Sequence, residues 1–173
     1  EDIFRNLGRR GHPLFDAVQS GGQTDAAAGK SNEEMYAYVT SHRQREDATT
    51  AAYLALAENP EVDIIGHSGA PGYAFDYEAV IPVFGRNGKV VEINEGTFKV
   101  RSSSVPNCRR IAELCKKYEV RVSVDSDAHF HGQVGRMPRC LELLREIDFP
   151  PELVVNGSEE AFSRFLNEKH LTL

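Results

Sequence analysis

The sequence predicts an α/β fold built on a parallel sheet, and three observations lead there. Short apolar runs rich in Val and Ile alternate with helix-patterned segments from residue 35 onward. The units recur roughly every 25–30 residues, the length of a strand–crossover–strand repeat. Polar residues collect just past the apolar runs, where parallel α/β proteins carry their sites. No GxGxxG follows an early strand, so the dinucleotide-binding version of the fold loses ground to a barrel-like one.

Taken in order, "MYAYVTS" (35–41) reads as the first strand, followed by an Ala/Leu-rich helix opening near Asp47. "VDIIG" leads to "DYEAVIPVFGRNG", a helix opening at Asp76 and closing at Gly88, with Pro82 marking a first turn or bend. "KVVEIN" leads to "SVPNCRRIAELCKKYE", where Ser104 can cap and Pro106 sits in the first turn. "RVSVD" leads to "MPRCLELLREI", and "PELVVNG" leads to "SEEAFSRFLNEKH" with Ser158 as the cap. That makes five strand–helix units. The first 34 residues differ: "SGGQTDAAAGKSN" reads as a leader or linker, and His12 there has no partner in pattern.

Composition narrows the function. At 173 residues and 40% hydrophobic content the chain can bury one sizeable core, and no apolar run approaches the length of a membrane span. Its start, "EDIFRNLGRR", is polar and shows no signal peptide. A net charge of −6 without a basic block argues against a protein held on nucleic acid by phosphate contacts. A small anionic substrate is still accommodated, because local arginines or metals reverse the sign inside a pocket. Cys108, Cys115 and Cys140 form no CxxC pair. They are expected to be free buried thiols in a reducing compartment, the cytoplasm.

The strand ends carry the chemistry. His42 closes the first run, His67 the second, and Asn94 and Glu95 the third. Asp125, Asp127 and His129 follow the fourth, and Asn156 the fifth. Imidazoles converging with a carboxylate suit zinc, manganese or iron. Such metals can hold a hydroxide and clamp a phosphoryl group. Arg101 in "EGTFKVRSSS" adds a cation suited to a phosphate. Asp125 and His131 are expected as supporting partners or caps, since they face the same way as Asp127 and His129 only if the strand runs on.

From about Glu34 to Leu166 the chain resembles the polymerase-and-histidinol-phosphatase (PHP) family of metal-dependent phosphoesterases, and among them the small bacterial phosphatases. The carriers are "DIIGHSGAPGYAFDYEAV", "VVEINEGTF", "NCRRIAELCKKY", "VDSDAHF" and "IDFPPELVVNGSEEAFSRFL". The resemblance implies a distorted (β/α) barrel with a trinuclear metal site. It implies His67 and His42 as ligands of one metal, Asp127 of another and His129 of the third, with Asp127 and His129 catalytic. Asn94 and Arg101 become the expected substrate contacts. The family's opening HxH, its "DH" motif and its bridging glutamate are absent here. The expectation is therefore a leader or linker at 1–34 and, at 35–173, the carboxyl-terminal two thirds of a barrel. The implied function is hydrolysis of a small phosphoester by a metal-bound hydroxide. The alternative is an incomplete, catalytically weak barrel acting as a binding or self-associating module, since an open barrel leaves strand edges that invite a second copy.

Overall fold

The computed structural model describes residues 32–169, with side chains at 41 and from 43 onward. The fold is mixed α/β. The described residues form helices around a three-stranded parallel sheet of order β1-β2-β3. The strands are β1 (Ile64–Ile65), β2 (Val90–Asn94) and β3 (Val122–Asp125). The helices are α1 (Asn32–Glu58), α2 (Tyr77–Arg86), α3 (Glu95–Val100), α4 (Val105–Lys117), α5 (Pro138–Glu146) and α6 (Glu159–Glu168). None of these is long and apolar enough to cross a membrane.

The first expected strand is corrected: 35–41 lies within α1, a single helix of 27 residues. Between Asn32 and Glu58 there is neither Gly nor Pro. Strong helix formers (Glu, Met, Ala, Arg, Gln, Leu) fill most positions, and the helix runs through the β-branched pair Val39–Thr40. The fifth strand is likewise reduced. Pro151–Leu153 forms a 3-10 turn, and Val154 makes a lone parallel bridge to Val122. Residues 1–31 of the leader, with His12, lie outside the described residues.

The remaining units follow from local chemistry. Asp76 caps α2 by accepting from the Ala79 N–H at 3.0 Å. Pro82 sits inside that helix rather than in its first turn. Ser158 caps α6 through Ala161 N–H, with Glu159 and Glu160 in the favourable first turn. Ser104 stands at the N-cap position of α4, but its side chain makes no capping hydrogen bond. Three helices then end alike. Gly88, Glu119 and Asp148 take left-handed φ of 64°, 54° and 48°. The next residue's N–H returns to the helix at 2.9, 2.8 and 2.9 Å (Lys89 to Phe84, Val120 to Cys115, Phe149 to Leu144). This closure satisfies late carbonyls and turns the chain towards β2, β3 and the Val154 bridge.

The sheet has two unlike faces. Val91, Ile93, Val122 and Val124 enter the main core beside Val80, Ile81 and Phe84 of α2 and Ile111, Leu114 and Cys115 of α4. A wholly buried side chain such as Phe84 contributes about 1.5–3 kcal/mol. Tyr53 of α1 closes that core over Phe75, ring centroids 4.1 Å apart. The opposite face carries Glu92, Asn94, Ser123 and Asp125, because Glu92 pairs with Ser123 and Asn94 with Asp125 in register. All three cysteines are free and buried, as expected.

Candidate functional site

The polar face gathers its side chains at the carboxyl ends of the strands. Two residues past β1, His67 takes a left-handed backbone, φ 54°. That turn is tied down by Glu92: Oε2 accepts from the His67 backbone N–H at 2.9 Å and lies 3.0 Å from its ring Nδ1. A Cβ on Gly66 would already stand 3.4 Å from this oxygen, so a small residue there keeps the approach open. The second carboxylate oxygen of Glu92 accepts from Asn94 Nδ2 at 3.0 Å. Asn94 in turn caps α3, its Oδ1 accepting from Thr97 N–H at 3.2 Å.

Strand β3 supplies the other side. Ser123 donates to Asp125 at 2.6 Å, and Asn156 Nδ2 reaches it at 3.4 Å while also bonding Val124. Burial pushes the Asp125 carboxyl up; the Ser123 hydroxyl pulls back, and the charge of Glu92 adds to the rise. The strand stops at Asp125, so Asp127 and His129 sit on the following loop. Asp127 is also left-handed, φ 48°, and its carboxylate leans over Gly96. A Cβ there would fall 2.2 Å from Asp127 Oδ2 and 2.9 Å from Asn94 Oδ1. His129 is exposed, with Nδ1 2.8 Å from the Asp127 carbonyl and its N–H donating to Gln133 at 3.1 Å.

The proton positions on the two imidazoles follow from their partners. The Asp127 carbonyl only accepts, so Nδ1 of His129 is the N–H donor, and the Glu92 carboxylate 3.0 Å from Nδ1 of His67 favours the same tautomer there. Each neutral ring then presents an unprotonated Nε2. This is the arrangement found in metal-binding histidines, whose second ring nitrogen donates to an oxygen. The described residues fit a metal in kind but not in number. No three of His, Cys, Asp and Glu among them stand close enough to hold an ion, so further donors would have to come from outside them.

The other expected residues fall variously. His42 lies on α1 rather than at a strand end, and its side chain is outside the described residues. Arg101 ends α3. His131 is exposed at the start of a 3-10 turn. Glu95, expected as a strand-end polar group, is fully buried and receives the N–H groups of Arg139 and Cys140 at 3.0 and 3.1 Å. It thereby caps the first turn of α5. Sequence reasoning missed Glu92, although a lone charge inside "VVEIN", two residues before Asn94, was the available signal. A cavity of about 970 Å³ opens beside β3 between α5 and α6, lined by Val124, Leu144, Phe149 and Arg164. Asn156 borders it, but His67, Glu92, Asn94 and Asp127 do not. The convergent polar groups mark the site better than this largely apolar hollow.

The chain is similar to bacterial proteins named probable phosphatases. One, from Clostridium botulinum, is 37% identical over 123 residues, covering 71% of this chain and 51% of the relative. Another, from Caldicellulosiruptor bescii, is 43% identical over 117 residues, or 68% of this chain and 49% of the relative. A third, from Clostridium acetobutylicum, is 33% identical over 161 residues, 89% of this chain and 66% of the relative. The chain thus spans about half the length of the first two. No family model matches it.

Proposed function

We propose that this chain carries one side of the active site of a metal-dependent phosphoesterase of PHP type, completing a distorted barrel with further strands. The observation that carries the reading is the pair of imidazoles, His67 and His129, whose Nδ1 atoms lie 3.0 and 2.8 Å from the Glu92 carboxylate and the Asp127 carbonyl, an arrangement that leaves each Nε2 lone pair for a metal. The relatives named probable phosphatases support the reaction class. In this reading His67 with His42 would hold one divalent ion, Asp127 a second and His129 a third, zinc first and manganese or iron after it, each with further ligands from outside the described residues. When bound, such metals supply a hydroxide and offset charge on the phosphoryl group.

The chain's own residues do the rest. Asn94 and the Gly96 backbone set the floor beside Asp127. Arg101, just past α3, is the cation for the phosphate of a small phosphorylated substrate. Three buried free thiols support a reducing compartment such as the cytoplasm. A second reading, self-association, is favoured by β1: among the described residues its outer edge has no partner strand, and Ile64 is exposed.

The test is hydrolysis of an aryl phosphate by the protein after chelation and after addition of Zn²⁺ or Mn²⁺, with metal content measured alongside. Turnover that needs metal, and is lost in Asp127→Asn, is expected. Metal-independent turnover, or full activity in Asp127→Asn, would remove the reading.

A further inference from the structure

We infer that Glu92 is the positioning residue of this site, holding the proton of His67 on Nδ1 and aiming Nε2 at the ligand. One oxygen, Oε2, accepts the backbone N–H of His67 at 2.9 Å and lies 3.0 Å from its ring Nδ1. The same carboxylate therefore fixes the left-handed turn, φ 54°, and the ring it carries. For a non-glycine residue that conformation is disfavoured and persists where surrounding bonds over-determine it.

Glu92 is itself held. Its other oxygen accepts from Asn94 Nδ2 at 3.0 Å, and Asn94 cannot turn its amide round without giving up the Thr97 N–H on Oδ1. Asn94 Nδ2 also lies 3.5 Å from His67 Nδ1. One of the two Asn94 amide N–H groups goes to Glu92 and the second approaches Nδ1 only at 3.5 Å, so the carboxylate oxygen at 3.0 Å is the nearer partner of the ring nitrogen and favours the proton there. The chain of command runs from the α3 cap through Asn94 and Glu92 to the imidazole. His129 reaches the same tautomer independently, through the Asp127 carbonyl.

The inference rests on the phosphatase reading only for its effect on turnover, and the experiment separates the two. Long-range ¹H–¹⁵N spectra of the imidazoles are recorded for the metal-free protein and for Glu92→Ala and Glu92→Gln. In the parent, His67 should carry its proton on Nδ1. In Glu92→Ala that preference should be lost, while His129 keeps its own pattern and serves as the control for intact folding. Glu92→Gln retains one oxygen and should fall between, which keeps the test usable if the alanine variant fails to fold. Turnover of an aryl phosphate should fall about 10–100-fold in kcat in both variants. A parent His67 protonated on Nε2, or a tautomer unchanged in both variants, would overturn the assignment. So would a changed tautomer with parental turnover. The expected tautomers without phosphatase activity in any of the three proteins would leave Glu92's hold on His67 standing and remove the phosphatase reading.

Discussion

Gly96→Ala should silence the site while leaving the fold in place. Gly96 is the second residue of α3. A methyl there would stand 2.2 Å from Asp127 Oδ2 and 3.1 Å from Asp127 Cγ. Two effects on stability oppose each other. Alanine is favoured over glycine in a helix by about 0.5–1 kcal/mol, an upper figure in a first turn. Against this, the carboxylate must retreat on the order of 1 Å, and Asn94 Oδ1, 2.9 Å from the methyl, by roughly 0.5 Å, to regain ordinary van der Waals distance. Holding its side chain off a rotamer costs about 0.5–1.5 kcal/mol. The two nearly cancel, so the melting temperature should move by no more than about 2–4 °C.

Turnover has no such compensation. A displacement of about 1 Å at a positioned group costs on the order of 100-fold in rate. The assay is kcat/KM on an aryl phosphate beside a thermal melt, for Gly96→Ala, Asp127→Asn and the double variant. If the methyl acts through Asp127, the double variant should be little worse than Asp127→Asn alone. Parental turnover in Gly96→Ala would refute the reasoning, as would activity lost only in step with unfolding.

Other consequences are simpler. Lys89 is buried and donates to the Asn59 and Val62 carbonyls at 2.6 and 2.7 Å; Lys89→Met should lower unfolding free energy by about 1–3 kcal/mol in urea titration. Cys115 has no exposed surface and burial pushes its thiol up, so alkylation followed by mass should label it only after denaturation. Glu78 is held below its usual 4.5 first by the Tyr118 hydroxyl, then by Lys117 and Arg110. A carboxyl depressed in the folded state adds stability above 4.5 that disappears as pH falls through the folded value. Tyr118→Phe should therefore flatten the acid limb of the melting-temperature profile, and an unchanged limb would count against the hydroxyl's role.

What could be read in the sequence, and what could not, divides by the range of the forces involved. Asp76, Gly88 and Ser158 were legible because a cap is decided within four residues. The 35–41 segment was not, since the short apolar run Met35 to Val39 looks like a strand until the Glu- and Ala-rich flanks extend one helix through it. Asn94 and Glu95 are neighbours of like polarity with opposite fates. Asn94 turns to the site and caps α3, while Glu95 is buried beneath α5 and caps it from the side. Only the position of a helix whose capped N–H groups lie 44 and 45 residues from Glu95 distinguishes them. Glu92 was overlooked for a related reason. A strand in a parallel sheet is expected to be apolar on both faces, so a single carboxylate in "VVEIN" reads as noise. Pairing supplies the missing context: once Glu92 stands opposite Ser123 and Asn94 opposite Asp125, four polar residues share one face, and His67 is bent onto it. A buried core has no use for such a face, because each group would need a partner at a cost in desolvation. The face makes physical sense when it meets a polar ligand, and that is the strongest argument for looking there for the chemistry.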